Sequence, residues 1–390
     1  MTDLTRRQLL ERAALGGAAL SLPAFLAACG GGGIDSAATT VGTTTAAAGG
    51  SVKDTLTISN WPLYIDIDEK TKQRPTLDQF TKATGIKVDY IEDVNDNDQW
   101  FGKNQAALAK GQSVKRDIAV LTDWMAARMV RLGYAQEIDP ALIPNKSNLV
   151  AALAGPAWDP ERKYTMPWQS GLTGIGYDPD KVGGEITSIQ ELLENPKLKG
   201  KVTFLSEMPD TMGLMILDGG GDPASVQKAD FDQAIRRLQQ GVDSGQIRQF
   251  TGNDYAGLLA KGDVWACVAW SGDMVQLTLD NPKLKFVLPD PGGMIWTDNM
   301  LVPTGGDVPT AAAFMNYVYD PKVAAQIEAY VNYICPVQGA KEEMQKIDPS
   351  LASNPLIFPD DATLAKVKIF DAAAADDKAY KAAFQAVVGA

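Results

Sequence analysis

The chain has 390 residues, with 48 Asp and Glu against 36 Lys and Arg, a net charge of −12 and no histidine. The missing histidine excludes Ser-His-Asp and Cys-His catalysis and His-ligated zinc, and the acidic balance argues against nucleic acid, which selects basic surfaces. A chain this long exceeds one ordinary core, so two lobes are expected.

Thr5-Arg6-Arg7-Gln8-Leu9-Leu10 precedes an apolar run that ends in Leu26-Ala27-Ala28-Cys29 and four glycines. The twin arginines resemble a twin-arginine export signal. Leu-Ala-Ala-Cys resembles the lipobox of bacterial lipoproteins, in which the Cys takes a diacylglycerol and the peptide is cut just before it. A transmembrane anchor is the alternative. The run from Ala13 to Ala28 contains Pro23 and falls short of the roughly 20 residues a spanning helix needs. Residues 1–28 are therefore expected to be a signal peptide, and Cys29 the lipidated first residue of an exported chain. Residues 29–53 are mostly Gly, Ala, Ser and Thr. They cannot bury enough surface to fold and read as a flexible tether.

The folded part begins near Asp54. Thr55–Ser59 alternates as a strand, and Thr76–Thr84 reads as a helix with Gly85 placed for a left-handed cap. Ile86–Tyr90 is a strand, Asp98–Lys110 a helix and Asp117–Leu121 an apolar strand, followed by a helix that stops at Gly133. Gly171-Leu-Thr-Gly-Ile-Gly176 lacks the context of a phosphate loop and reads as a closely packed strand. Lys201–Leu205 and Val264–Trp270 are further strands, with helices over Asp210–Leu217 and Phe231–Val242. The alternation of strand and helix predicts two α/β lobes, each with a mostly parallel sheet covered on both faces. Cys267 and Cys335 both sit in apolar runs, so a disulfide and a pair of buried thiols are both open.

Aromatic residues recur beside turns and strand ends: Trp61 and Tyr64, Trp124, Trp168, Trp270, Trp296. In α/β sheets ligands bind beyond the carboxyl ends of strands, where Trp61, Trp124, Glu207 and Trp270 fall. An aromatic wall attracts cations, and carboxylates beside it accept charge-assisted hydrogen bonds.

Thr57-Ile-Ser-Asn-Trp-Pro-Leu-Tyr64 and Phe80-Thr-Lys-Ala-Thr-Gly-Ile-Lys-Val-Asp-Tyr90 open an ordered set of segments. Asp117–Thr122, Tyr164-Thr-Met-Pro167, Gly174-Ile-Gly176, Trp270-Ser-Gly-Asp273 and Gly292-Gly-Met-Ile-Trp-Thr-Asp298 follow. The set covers nearly all of 54–370 and resembles the spermidine/putrescine-binding proteins of ABC importers. The resemblance implies the two-lobed type II periplasmic-binding-protein fold, an α/β architecture with a ligand cleft between lobes. It implies one lobe of 54–167 plus about 299–340, and a second of 168–298 plus about 341–390.

Carried over residue by residue, Trp61 and Tyr64 match an aromatic pair, and Thr122 and Trp124 a hydroxyl and a ring in the next loop. Glu207 and Asp210 match carboxylates after a strand, Trp270 and Asp273 the wall of the second lobe, and Trp296 and Asp298 the crossing segment. Tyr333 matches a tyrosine three residues before a proline, Pro336. The chain departs from the pattern at Trp168-Gln-Ser170, at Phe370 and at Pro62-Leu63, which carries no acid.

The resulting expectation is a monomeric, lipid-anchored solute-binding component that captures spermidine or putrescine for a membrane permease. It uses no cofactor or metal and does no covalent chemistry. Two alternatives remain: an iron(III) or other hard-cation binder on the same fold, with Tyr64, Tyr333 and carboxylates converging on one point, and a secreted hydrolase using two carboxylates.

Overall fold

The computed structural model describes residues 52–389 other than Glu69 and Asn95. The signal segment, Cys29 and most of the tether lie outside the described residues. In chain order the principal elements are β1 (Thr55–Asn60), α1 (Pro75–Thr84), β2 (Lys87–Glu92), α2 (Asn97–Leu108), β3 (Ile118–Thr122), α3 (Asp123–Arg131), β4 (Thr165–Tyr177), β5 (Val202–Leu205), α4 (Met208–Asp218), α5 (Lys228–Asp243), β6 (Ile247–Thr251), α6 (Asp254–Lys261), β7 (Ala266–Trp270), α7 (Ser271–Asp280), β8 (Lys285–Val287), β9 (Gly293–Leu301), α8 (Val308–Val318), α9 (Pro321–Val331), α10 (Ala340–Ile347), β10 (Val367–Lys368) and α11 (Lys378–Val388). Shorter helical turns fill the connections. Local chemistry sets the boundaries. Pro75 opens α1, and Gly85 closes it at φ 81°, where a Cβ would be strained. Asp96 caps α2 by accepting from the Gln99 amide.

The strand order is β2-β1-β3-β9-β4-β7-β5-β6, with β10 beside β9 and β8 beside β4. The outer groups, β2-β1-β3 and β7-β5-β6, are parallel as predicted. The centre differs from the prediction of mostly parallel pairing. β9 runs antiparallel to both β3 and β4, and β4 antiparallel to β7. Local alternation identifies a strand but not its direction. The two long strands run back through the middle, and a register shift between Pro167 and Gln169 divides their pairing.

Two apolar cores form. Leu56, Ile58, Phe80, Ile118, Val120 and Phe314 belong to one, and Val202, Phe204, Met212, Phe231 and Val268 to the other. Phe80 is fully buried and meets Phe314 edge-on at 5.3 Å; its truncation to Ala costs about 3–5 kcal/mol. Trp100 and Trp124, from α2 and α3, join the core of the β5–β7 half. Half-buried Trp61 and Trp270 pack against both cores. Cys267 and Cys335 are buried free thiols. Among the described residues no helix is long and apolar enough to cross a membrane.

Candidate functional site

The site is built around β9, the strand shared by both halves. Its register sets Asp298 opposite Thr122 of β3 and Gln169 of β4. Asp298 is 4% exposed. The Tyr64 hydroxyl donates to one carboxylate oxygen at 2.9 Å and the Thr122 hydroxyl to the other at 2.7 Å. Burial, with a smaller push from Asp123 and Asp210, brings the carboxyl up to about 7 against those two hydrogen bonds.

Strand alternation turns the neighbours of Asp298 to the opposite face. There buried Asp123 accepts from the Thr297 amide at 2.8 Å and the Asn299 side chain at 2.9 Å. Asp123 is pushed up to about 6 by burial, opposed by Arg162. The Arg162 guanidinium donates to Asn299 at 2.7 Å. This network fixes the β9 backbone and therefore the direction of Asp298. Tyr64 arrives from a tight turn after β1, in which Leu63 takes φ 60°. A non-glycine residue there costs about 1–3 kcal/mol.

The β5–β7 half supplies further carboxylates. Asp273, in the first turn of α7, accepts from the Tyr255 hydroxyl at 2.6 Å, the Asn253 amide at 3.0 Å and the Tyr333 hydroxyl at 3.4 Å. Asp210, in the first turn of α4, accepts from the Thr173 hydroxyl of β4. Burial raises it to about 6 against hydrogen bonds from Thr173 and the Trp270 side chain. Glu207, the residue before α4, is held well above the usual carboxylate range by burial and then by Asp210, Asp96, Asp298 and Asp98. Among the described residues no Lys or Arg ion-pairs with Glu207, Asp210 or Asp298.

Aromatic rings join the two sets. Tyr333 meets Tyr64 edge-on at 5.9 Å and Trp296 at 5.3 Å. An unbroken path thus runs from Asp298 through Tyr64 and Tyr333 to Asp273. Two glycines make it possible. A Cβ at Gly171 would lie 2.3 Å from the Trp296 ring, and one at Gly272 would lie 2.6 Å from the Tyr333 ring.

The structure brings Tyr64, Thr122, Trp296, Asp298, Tyr333 and Asp273 into one contact network. Trp270 joins it through Tyr255, whose hydroxyl accepts from the Trp270 amide at 2.9 Å and whose ring meets the indole at 6.0 Å. Trp61 lies at the boundary of the cores. Trp124 turns its ring to the Lys381 ammonium, 4.6 Å away. Phe370, noted as a departure, is buried in the core of the β5–β7 half. Of the two tyrosines suggested as hard-cation ligands, Tyr64 donates to Asp298 and Tyr333 to Asp273. Asn253, Tyr255, Thr173 and Asp123 were not foreseen. Asn253 and Tyr255 follow β6, so the strand-end rule that selects Trp61 and Trp270 applies to them too.

The sequence profile described as bacterial extracellular solute-binding protein matches residues 76–359. The chain is 24% identical over 320 residues to a spermidine/putrescine-binding periplasmic protein of Salmonella typhimurium, covering 81% of this chain and 86% of that one. It is 29% identical over 324 residues to the putrescine-binding periplasmic protein PotF of Escherichia coli, covering 78% and 83%. A spermidine/putrescine ABC transporter substrate-binding protein of Streptococcus pneumoniae superposes with a TM-score of 0.71 at 24% identity, over 86% of this chain and 97% of that one. The fold is that of the periplasmic binding proteins.

Proposed function

The chain belongs to the bacterial extracellular solute-binding protein family, and we propose that it captures a polyamine of the spermidine/putrescine class for an ABC permease. One observation carries this reading. Asp298 is buried and held by two neutral hydroxyls, one of them on the Tyr64 ring, and among the described residues no Lys or Arg ion-pairs with it. Hydroxyl donors make a carboxylate affordable in the interior without cancelling its charge. A protonated amine supplies what is missing, and its methylene chain suits Trp61, Trp270 and Trp296. Asp273 and the Glu207–Asp210 pair offer places for further ammonium groups. The relatives named for spermidine and putrescine support the same class.

In this reading residues 54–167 with about 299–340 close against 168–298 with about 341–390, with β4 and β9 as the hinge. The protein works as a monomer, binds and releases its ligand without covalent chemistry, and is held at the outer face of the membrane by lipid on Cys29. Titration calorimetry with putrescine, spermidine, γ-aminobutyrate, neutral amino acids and iron(III) tests the ligand class. Binding of the amines alone is expected; binding of iron(III) or a zwitterion in their place removes the polyamine reading. Cys29→Ala should move the exported protein from the membrane to the soluble fraction, and retention at the membrane would sink the lipid anchor.

A further inference from the structure

A lysine of the protein sits at the rim of this site in the surroundings a ligand ammonium would choose. The Lys381 ammonium lies 3.1 and 3.2 Å from the two oxygens of Asp98 and 4.6 Å from the centre of the Trp124 ring. Its helix, α11, is mounted on the β5–β7 half. Tyr380 stacks on Phe231 at 4.0 Å, and Phe384 meets Phe250 edge-on. Asp98 and Trp124 come from α2 and α3, and Trp124 shares an apolar core with Phe231 and Phe384. Lys381 therefore ties α11 to α2 and α3.

The rim is continuous with the interior. Asn97, the residue before Asp98, donates to the Thr122 hydroxyl at 2.9 Å and accepts from the Thr122 amide at 3.1 Å. The Thr122 hydroxyl in turn donates to Asp298. Glu207 feels both Asp98 and Asp298, so the rim and the interior acids are electrostatic neighbours of one carboxyl. Arg128 also reaches Asp98, at 3.4 Å, but it is shared with Asp376 and stacked on Phe101 at 4.1 Å. Lys381 is the cation seated on the Trp124 ring.

We propose that Lys381 is a specificity-determining residue: its ammonium fills the Asp98–Trp124 end of the acidic cleft, excludes a further cationic nitrogen of the ligand, and selects short diamines over longer polyamines. A diamine leaves the ion pair undisturbed. A triamine that extends toward Trp124 meets a like charge or must displace it, and either costs affinity. This rests on the polyamine reading and names the subclass.

The test is calorimetry of putrescine and spermidine against the wild type, Lys381→Met and Lys381→Arg. Met keeps the apolar stem and removes the charge; Arg keeps the charge. The wild type is expected to favour putrescine. In Lys381→Met the spermidine-to-putrescine affinity ratio should rise about tenfold or more, and Lys381→Arg should keep the wild-type ratio. A ratio unchanged within twofold (roughly 0.4 kcal/mol) in Lys381→Met overturns the proposal, as does an equal loss for both amines, which marks Lys381 as merely structural. If Lys381→Met does not fold, Lys381→Gln removes the same charge and is read by the same ratio. If neither amine binds the folded wild type, the polyamine reading itself falls and takes this one with it. Binding of both with an unmoved ratio removes Lys381 alone.

Discussion

The carboxylates of the interior and those of the rim are stabilised in opposite ways. Asp298 is buried and held by two hydroxyls. Asp98, with half its side chain exposed, is held by the Lys381 ammonium and by Arg128. Asp376 takes Arg128 and Arg131. A hydroxyl lowers the cost of a buried charge and leaves the charge in place. A cation cancels it. The interior is therefore short of positive charge in a low-dielectric setting, where an incoming cation is worth most. The rim is already neutralised, and solvent screens it.

The largest consequence is in pH. Asp298 titrates near 7 and Asp210 near 6 in the folded chain, against 3.8 for an ordinary aspartate. The folded state binds these protons more tightly than the unfolded state does. Their contribution to stability is therefore full below about pH 4 and is lost as pH rises through 6 and 7. A cationic ligand favours the ionised forms and acts in the opposite sense. Polyamine affinity should rise by about a hundredfold or more between pH 5 and 7.5, with protons released on binding near pH 6. Calorimetry in two buffers of different ionisation enthalpy measures both. A flat affinity profile with no proton release breaks the distinction between interior and rim.

Asp298→Asn keeps the shape and removes the charge. It should weaken polyamine binding by about 1.5–3 kcal/mol, roughly ten- to a hundredfold, and remove the steepest part of the pH profile. The folded variant binding as tightly as wild type would take Asp298 out of the site. The wall gives a smaller effect. In Gly171→Ala the new methyl must push the Trp296 ring, because the gap is 2.3 Å. Overpacking of this kind costs about 1–3 kcal/mol of stability, and polyamine affinity should drop about tenfold if the ring is a stacking surface. Thermal unfolding together with titration separates the two. Lost stability with unchanged affinity would leave Trp296 as packing only.

The parts legible in the sequence were those written locally. Alternation marked β1, apolar runs marked β3 and β7, Lys201–Leu205 read as the strand β5, and the glycines of Gly171–Gly176 marked a strand under close contact. The structure shows why: Gly171 lies beneath Trp296, and Gly174 faces the Val287 carbonyl at 2.4 Å from an added Cβ. Strand direction was not legible, because Thr122 and Asp298 pair across 176 residues of chain. Tyr255 was missed because β6, Ile-Arg-Gln-Phe-Thr, has an exposed middle and shows no apolar alternation. Lys381 was out of reach of any local pattern, since its acid lies 283 residues away.

The smallest effect is expected at Asp376, and it isolates the rim. Its two arginines come from one helix, α3, and Arg128 keeps Asp98 and the Phe101 ring when Asp376 is neutralised. Arg128 keeps Asp98 and the Arg131 side chain is half exposed, so no cation is left buried and unpaired and the cost stays near that of a surface ion pair, about 0–1 kcal/mol. Asp376→Asn should therefore shift the unfolding midpoint slightly, in a way that fades at high salt. Putrescine affinity and the spermidine-to-putrescine ratio should stay at the wild-type values, because the Lys381–Asp98 pair does not depend on Asp376. Denaturant unfolding at low and high salt, with calorimetry beside it, gives the answer. A tenfold change in affinity from this substitution would mean that rim and interior act as one electrostatic unit, and that the contrast between hydroxyl-held and cation-held carboxylates does not decide where the ligand's charge goes.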